Sequence, residues 1–520
     1  MDKMSSLDLA LREMQLELEP VTGRVSWCSS NPRHPRNWSL PRKIWDIGLI
    51  VLLEVYTCVR SNITMLSVQH SLTIFIDLQL VLPECSTAAR YSQERLGISL
   101  TLSQFLFVST YLLAQGLGGI VFPPYAEAFG RKKLYVISTV LYSGFCAIIG
   151  GVDSPVAAVI GRLVTGFLSA IPTCSITGSI EDMFNSKDRI WMMLCYIGAA
   201  NLGVAMGPVM SAYITFAFSW QWIFYIAAMV TGGISVLLLS IRESRPSSVL
   251  EGEVKELRKR TGIETLECLN HDSVPDMKTF VQVNLGRPVK LLCTEPIVFC
   301  VSFMGGTAMA IIYLLTEALP KIYEAKGFNH EQSSLPFLAL GIGFIFNVPG
   351  RLADVRTANA LRKNDCHVPP EYKLAGLKFA APILAGALWW FAWTIPPTIQ
   401  GVHWIVSVFA LLAIGYGRNE LSIVLTGYLA DSYSAYTGSA FAAWGLLRAI
   451  LSAVFPLFAP AMFDALGANV AVSVLAGAMT VFMIIPLSFR RYGKTLRERS
   501  KFAQYSMQRY KETTVEKDGT

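Results

Sequence analysis

About twelve apolar windows of roughly 20 residues recur along this chain, and a helix of that length spans the hydrocarbon core of a bilayer. Lipid offers no hydrogen-bond partners to the backbone, so each window is expected to be a helix. The windows lie at 45–66, 98–122, 134–151, 156–179, 191–216, 220–241, 294–317, 334–353, 372–395, 402–429, 437–460 and 468–489. The sequence therefore predicts an all-α membrane protein, with the lipid bilayer as its first expected partner.

The composition agrees with a chain that lies mostly in lipid. Charged residues make up 16% of the 520 residues, whereas soluble domains contain about 25%, and the mean hydropathy is +0.44. The net charge of +7 comes largely from short basic loops beside the predicted spans, where it suits an anionic membrane surface. No folded basic face is indicated, so nucleic acid is not an expected partner.

Basic residues fall on alternate loops, and this pattern predicts the orientation of the chain. They cluster before the first window, after the second, after the eighth and in the C-terminal tail. Because cytoplasmic loops carry the excess of Lys and Arg, we expect both termini in the cytoplasm and an even number of spans. The polar N-terminal segment lacks the pattern of a cleaved signal, so the first span is expected to direct insertion. We expect a multi-pass protein of the plasma membrane.

A polar stretch between the sixth and seventh windows divides the chain into two halves. The predicted order is a cytoplasmic tail at 1–43, a six-helix bundle at 44–241, a cytoplasmic linker at 242–293, a second six-helix bundle at 294–489 and a cytoplasmic tail at 490–520. Two such halves are the arrangement of transporters that rock around a central site.

One segment between the first two windows does not fit this scheme. Residues 68–83 are apolar and rich in β-branched side chains, without helical periodicity. An ordered external loop, an extension of the first helix and a segment wrongly included in the translation are the three alternatives.

The fifth window carries a row of small residues that ends in a proline. Gly198 opens it, and Pro208 removes a helix hydrogen bond and favours a bend. Small side chains at every fourth position form one smooth ridge, so a neighbouring helix can approach closely. The members of this ridge are Ala199, Gly203, Gly207 and Ser211.

The loop after the second window carries charges that suit a conformational latch. A carboxylate at a helix end, Glu127, precedes Gly130 and the basic pair Arg131 and Lys132. Such charges can form contacts that break when the cytoplasmic face opens. The alternative is an ordinary basic loop that only sets the topology.

Arg162 and Glu54 both fall inside predicted spans of the N-terminal half. Arg162 is expected to face protein or water, because a guanidinium in hydrocarbon is costly. There it either influences the proton affinity of a carboxylate or serves as a structural arginine. Glu54 lies near the middle of the first span and is a candidate proton carrier. Its alternative role is to satisfy a neighbouring hydroxyl or Arg60.

The remaining intramembrane ions contain more arginine than acid. If Arg60, Arg418, Glu420 and Arg448 line the cavity, they favour a cargo with carboxylate, phosphate or enolate groups, which arginine can pair with in a bidentate manner. In the alternative, Arg448 belongs to the scaffold, and Arg418 and Glu420 neutralise each other near the cytoplasmic end.

Several of these motifs resemble those of the major facilitator superfamily. The loop around Gly130 is similar to its cytoplasmic-loop motif, although Pro123, Glu127 and Ala128 depart from the usual residues. Arg162, with small residues four and eight positions later, resembles its Arg-x-x-x-Gly-x-x-x-Ala motif, and the fifth window resembles its antiporter signature, which is typical of exporters. Further similar strings lie at 31–39, 178–182, 243–246 and 491–500.

The chain thus resembles the fungal drug:proton antiporter group with twelve spans. The resemblance implies two six-helix bundles with pseudo-two-fold symmetry, alternating access and export of a small molecule driven by proton entry. A monomer is expected, with the proton as coupling ion and no other cofactor. Fungal relatives carry toxins, drugs, polyamines or organic acids, so an organic-acid or polyamine transporter is an alternative.

Two other classes of protein were weighed against a transporter. A membrane enzyme is disfavoured, because the histidines show no metal spacing and no Cys-x-x-Cys is present. The histidines are His34, His70, His271, His330, His367 and His403. A nutrient sensor built on a transporter fold is the second rival, and only a transport measurement separates it from an exporter.

Overall fold

The structure is a computed structural model, and helices make up most of it. It describes residues 3–19, 23–28, 30–77, 105–152, 154–218, 221–269, 276–329, 331–363, 371, 374, 376–396, 401–433 and 436–506. Within these ranges, eight helices are long and apolar enough to cross a membrane, as judged by length and composition. The last of them, Thr437–Pro486, has 50 residues and contains two of the predicted spans.

The helices follow the predicted windows closely. In chain order they are α1 (Lys3–Met14), α2 (Leu40–Asp77), α3 (Thr110–Phe129), α4 (Arg131–Gly151), α5 (Pro155–Met183), α6 (Ser186–Ala217), α7 (Gln221–Leu238), α8 (Pro246–Thr261), α9 (Arg287–Thr294), α10 (Pro296–Glu324), α11 (Phe337–Ile342), α12 (Val348–Lys363), α13 (Leu377–Ala392), α14 (Trp404–Ser432), α15 (Thr437–Phe482) and α16 (Ile484–Arg499). Two short strands, β1 (Leu16–Leu18) and β2 (Val25–Trp27), pair antiparallel. Each predicted window overlaps at least one of these helices.

Prolines and glycines mark where several of the long helices begin and turn. Pro155 and Pro296 occupy first positions of α5 and α10, where the missing backbone N–H costs nothing. Gly130 separates α3 from α4 with φ of +86°, a conformation that side chains other than glycine rarely adopt. Gly467 has φ of +74° inside α15 and separates the last two predicted spans.

Each half of the chain has its own apolar core. In the N-terminal half α2 packs on α6, α3 on α5 and α4 on α7, and the cluster of buried residues there includes Leu53 and Ile180. In the C-terminal half α10 packs on α15, and α13 packs on both α14 and α15, around residues such as Leu315 and Leu425. The packing therefore divides the spans into the two groups that the linker separates in sequence.

Small residues allow the two halves to meet closely. Helix α3 lies against α15, where the Ser109 hydroxyl donates to the carbonyl of Ala453 at 2.7 Å. A Cβ added at Gly116 would lie 2.5 Å from the Cβ of Ala449. Helix α6 meets α11 in the same way. These contacts use small side chains and backbone, as is typical of helix pairs in membranes.

The N-terminal segment and the first part of the linker form one folded unit. An apolar cluster joins α1 and β1 to α8, which lies in the predicted linker. Its fully buried members include Leu7, Leu11, Leu16, Leu250, Val254 and Leu257. The sequence predicts a separate tail and linker, whereas in the structure these two segments pack together.

Polar contacts hold the same unit together at its edges. The backbone N–H of Val25 donates to the carbonyl of Glu267 at 2.8 Å, and that of Leu269 donates back to Val25 at 3.0 Å. The side chains of Arg33 and Glu253 form an ion pair. The domain boundaries at 43 and 242 remain predictions, but packing crosses both of them.

The irregular segment 68–83 is partly described. Helix α2 continues to Asp77, which favours a helix extension for residues 68–77 among the three alternatives. Residues 78–83 lie outside the described residues.

Candidate functional site

Glu54 is a buried carboxylate on α2, with 2% of its surface exposed. It accepts hydrogen bonds from the hydroxyls of Thr57 at 3.3 Å and of Thr173 on α5 at 3.2 Å, and from the thiol of Cys58 at 3.7 Å. All three donors are neutral. Arg448 of the other half lies close enough for its charge to act on Glu54. A carboxyl in such a place can hold or release a proton while its neighbours stay bound.

The ridge of small residues on α6 faces α2. A Cβ added at Gly203 would lie 2.7 Å from the carbonyl oxygen of Val55 on α2. Gly207, Pro208 and Ser211 are also buried. The backbone of α2 is therefore in direct contact with the smooth side of α6, in the helix that carries Glu54.

The opposite side of α6 faces the C-terminal half. A Cβ added at Gly198 would collide with the ring of Phe344, and one at Gly341 would lie 2.8 Å from the Cβ of Ala205. Helix α6 thus contacts its own bundle through Gly203 and the other bundle through Gly198. A helix that lies between two bodies in this way is well placed to follow their relative movement.

Arg162 faces the protein interior, as the sequence predicts for an intramembrane arginine, and only 1% of its surface is exposed. Its guanidinium carbon lies 4.4 Å from the centre of the Tyr111 ring on α3. One turn later, a Cβ at Gly166 would collide with the carbonyl oxygen of Tyr111, and one at Gly118 would lie 2.7 Å from the Cβ of Ala170. The motif that begins at Arg162 therefore packs α5 against α3.

Arg418 lies between the two halves. Its guanidinium donates to the side-chain oxygen of Asn201 on α6 at 2.7 Å, which is a contact from the C-terminal to the N-terminal bundle. A small cavity at this point is lined by both residues together with Thr316 and Leu340. Arg418 thus lies at the contact between the two halves, beside a cavity of about 10 Å³ that has room for no more than about one water molecule.

Arg448 lies on α15, in the region of the protein that also contains Arg418 and Glu54. We call this region the centre. Its guanidinium carbon is 5.0 Å from the centre of the Trp444 ring, one turn earlier on the helix. Arg418 lies close enough to Arg448 for their charges to act on each other. Both side chains are partly buried. The centre therefore contains two guanidinium groups from one half and Glu54 from the other.

Glu420 belongs to a different cluster from the one expected. It is 3% exposed and forms an ion pair with Arg351 of α12, and it accepts from the side chain of Asn347 at 2.9 Å. The alternative that Glu420 neutralises Arg418 is therefore wrong among the described residues, whereas its place in the cavity stays a prediction. Glu420 lies two residues from Arg418 on α14, so the two side chains leave the helix in different directions. The side chain of Arg60 lies outside the described residues.

Arg131 at the start of α4 is paired with an acid from another helix. It is 5% exposed and forms an ion pair with Asp182, at the end of α5, at 3.0 Å. A Cβ at Gly178 would lie 2.5 Å from the guanidinium. Only glycine at that position leaves room for the arginine to lie across α5.

Glu243, just after α7, binds the same loop through its backbone. It accepts from the N–H groups of Arg131 at 2.9 Å and Lys132 at 3.0 Å, which are unpaired donors at the start of α4. A Cβ at Gly130 would lie 2.6 Å from this carboxylate. We call Arg131, Asp182 and Glu243 the Arg131 cluster.

Glu127 was expected to supply the acid of this cluster, and that expectation is wrong. Among the described residues, Asp182 is the carboxylate that pairs with Arg131. Glu127 lies on the exposed side of α3, one turn before Gly130. The Arg131 cluster therefore joins three different helix ends rather than the two sides of one loop.

Four residues of these sites were missed as functional residues by sequence reasoning. Asp182 and Glu243 occur in strings that were noted only for their family resemblance, although an acid directly after a predicted span is itself a signal. Asn201 is a polar residue inside a span and was detectable for that reason. Thr173 gives no signal, because hydroxyls in spans usually bond their own helix.

Comparison with known proteins identifies the family of this helical membrane protein. The Major Facilitator Superfamily model matches residues 71–456, and the chain belongs to this superfamily. It is therefore a multi-pass membrane transporter that moves a small-molecule substrate, and not an enzyme.

Similar curated proteins are fungal. The chain is 29% identical to the multidrug transporter TPO1_2 of Candida glabrata, over 92% of this chain and 79% of that protein. It is 28% identical to the major facilitator superfamily multidrug transporter mdrA of Aspergillus fumigatus, over 93% and 76%. It is 29% identical to the efflux pump radE of Floropilus chiversii, over 92% and 85%.

A solved structure supports the fold. The crystal structure of a peptide transporter, POT, matches 95% of this chain and 99% of that chain with a TM-score of 0.57. At 14% sequence identity, this match shows the fold alone. The fold is the major facilitator fold that the sequence predicts.

Proposed function

We propose that this protein exports a small organic molecule across the plasma membrane by alternating access, driven by proton entry. The observation that carries the proposal is Glu54, a buried carboxylate that is held by neutral donors and lies within reach of the charge of Arg448 from the other half. A group that can change its charge at the contact between two moving halves can link proton movement to their conformation.

The names of similar proteins support export as the direction. The three proteins compared above are a multidrug transporter from each of two fungi and an efflux pump from a third. A drug or a fungal secondary metabolite is therefore the proposed cargo. An organic acid is the alternative that Arg418 and Arg448 favour, whereas nothing in their charge favours a polyamine.

The remaining parts of the proposal concern topology and movement. Both termini are proposed to be cytoplasmic and the protein a monomer, with the Arg131 cluster on the cytoplasmic side. The cluster joins the ends of α4, α5 and α7 in the present conformation, and its opening would accompany movement of these helices. Arg162 is proposed to hold α3 and α5 together, and α5 also carries Thr173, which donates to Glu54, so Arg162 is proposed to support proton coupling indirectly.

Efflux measured with and without an uncoupler tests the function. Cells loaded with labelled drugs and organic acids are expected to lose them faster when the protein is present, and the uncoupler is expected to abolish that difference. Binding without any loss of label would instead identify a sensor. Efflux that persists with the uncoupler would contradict proton coupling.

Glu54→Gln tests the proton carrier. The glutamine keeps the shape and one acceptor oxygen but cannot bind or release a proton. We expect the variant to lose uncoupler-sensitive efflux while still exchanging labelled for unlabelled cargo, because exchange needs no net proton transfer. Glu181→Gln, at an exposed carboxylate, is the matched control. Unchanged uncoupler-sensitive efflux in Glu54→Gln would remove Glu54 from the mechanism.

A further inference from the structure

The centre of the protein holds more positive than negative charge. Arg418 and Arg448 come from neighbouring helices of the C-terminal half, and their charges act on each other. Like charges in a poorly solvated place repel strongly, so such a pair needs a counter-ion. Glu54 is the acid whose charge reaches Arg448.

Neither arginine has a carboxylate partner among the described residues. Arg418 donates to the neutral amide oxygen of Asn201 at 2.7 Å, and Arg448 lies over the ring of Trp444. Glu420, the nearest acid along α14, is already paired with Arg351. An arginine in a membrane protein that lacks an acidic partner is usually there to bind something else.

Several donors at the centre have no acceptor within the described part of the chain. They are the buried Nε atoms of Arg418 and Arg448 and the indole Nε1 of Trp444. Donors that are buried without an acceptor are costly, and a ligand with oxygen acceptors would remove that cost. A flat ring can also lie against an indole or a guanidinium group.

We propose that the cargo is a small organic monoanion whose carboxylate or enolate oxygens bind between Arg418 and Arg448, with a flat apolar body near Trp444. This inference rests on the proposed export function and specifies its substrate class. One anion suits the centre, because two arginines and an ionised Glu54 leave one net positive charge. Asn201, from the N-terminal half, is then the residue that brings the other bundle into contact with the site.

The alternative is that Arg418 and Arg448 only stabilise the fold. Thermal unfolding of the purified full-length protein separates this alternative from a binding role. Removing one of two repelling cations is expected to leave the melting temperature unchanged or to raise it, as is common for binding-site residues. Removing a cation that is paired in the interior is expected to lower it by several degrees. Arg418→Gln and Arg448→Gln test the first case, and Arg351→Gln, which breaks the pair with Glu420, is the matched control.

If Arg418→Gln and Arg448→Gln both lower the melting temperature as much as Arg351→Gln does, the arginines are scaffold and the inference is wrong. If the two variants keep the melting temperature of the wild type or raise it, the two arginines are not paired in the interior, and the excess of positive charge at the centre is supported. This measurement needs no cargo and no transport. It can therefore support the anion site even if export is disproved.

Binding of three matched probes tests the ligand class directly. The probes are 1-naphthoate, its neutral amide 1-naphthamide and the cation 1-naphthylmethylammonium, which share one ring system. Wild-type protein is expected to bind the carboxylate at least about tenfold more tightly than the other two. Arg418→Gln and Arg448→Gln are expected to remove that preference, whereas Arg260→Gln, at an exposed arginine outside the membrane region, should keep it.

Equal binding of the three probes, a preference for the cation, or no binding of the carboxylate would overturn the inference. So would a preference for the carboxylate that survives in both arginine variants. An anion preference without proton-linked efflux would instead retain the site and reject the proposed function.

Discussion

Substitution of Gly203 by alanine tests the close approach of α2 and α6, on which the placing of Glu54 depends. A Cβ at this position would lie 2.7 Å from the carbonyl oxygen of Val55 and 3.2 Å from the Cβ of Cys58. The first of these atoms belongs to the backbone, so it cannot rotate away as a side chain would. The two helices must separate instead.

The size of the effect follows from that distance. Ordinary contacts of a Cβ begin at 3.4 Å, so α2 and α6 must move apart by about 0.7 Å at this point. Forcing an extra carbon into a packed interior typically costs about 1–3 kcal/mol. Replacing glycine by alanine in a helix returns at most about 1 kcal/mol. We therefore expect Gly203→Ala to lower the free energy of unfolding by up to about 2 kcal/mol.

The assay is thermal unfolding of the purified full-length protein in detergent, paired with efflux in cells. Gly144→Ala is the matched control, because a Cβ at Gly144, in the membrane helix α4, meets nothing within 4 Å. We expect Gly144→Ala to be as stable as the wild type or slightly more stable. Gly198→Ala should fall between the two, since the ring of Phe344 can rotate away.

The order of stability of the three variants tests whether α2 and α6 are in close contact at Gly203. If Gly203→Ala is as stable as Gly144→Ala, the backbone of α2 does not contact α6 at this point, and the close approach of the two helices is wrong. If it is less stable but transports normally, the close approach is structural only. Loss of efflux at a temperature where the protein remains folded supports a role of the contact between α2 and α6 in the conformational change of transport.

Two further predictions concern the polar clusters outside the membrane core. Asp182→Asn leaves the buried Arg131 without its acid, so we expect a loss on the order of 3 kcal/mol in unfolding experiments; Glu181→Gln, in an exposed pair, should cost less than about 1 kcal/mol, and equal effects would contradict the Arg131 cluster. Arg33→Glu should increase proteolysis of the N-terminal segment, because it opposes Glu253, and adding Glu253→Arg should restore protection; failure of that rescue would contradict the packing of tail on linker.

Much of the fold could be predicted from the sequence because its rules act locally. Each apolar window overlaps a helix, since a span must satisfy its own backbone hydrogen bonds. The inward direction of Arg162 followed from the cost of a cation in lipid, and the smooth face of α6 followed from the spacing of its glycines. Such inferences need only one helix and its solvent.

The partners of charged residues could not be predicted, because they depend on which helices meet. Arg131 pairs with Asp182, which lies 51 residues later, and Glu420 pairs with Arg351, 69 residues earlier. The nearer candidates, Glu127 and Arg418, were reasonable by distance along the chain. Glu127 and Arg131 are four residues apart, but Gly130 ends the helix between them, and Arg418 and Glu420 are only two apart on α14, so neither pair shares one face of a helix.

The packing of the N-terminal segment on the linker was also beyond the sequence. The N-terminal segment and the linker are both short and polar overall, so their sequences do not predict that either contributes to a core. Their apolar residues become a core only when α1 and α8 are placed together. Amphipathic segments of this kind are recognised once their partner is known.

Charge at the centre also sets how cargo and proton influence each other. With Glu54 ionised, the two arginines leave one net positive charge, and neutralising Glu54 leaves two. A cargo anion therefore binds more tightly when Glu54 carries no charge, so we expect Glu54→Gln to bind 1-naphthoate more tightly than the wild type does. Within one conformation, proton and anion thus favour each other, and antiport requires that they occupy different conformations of the cycle. Weaker binding of 1-naphthoate by Glu54→Gln than by the wild type would contradict the charge argument.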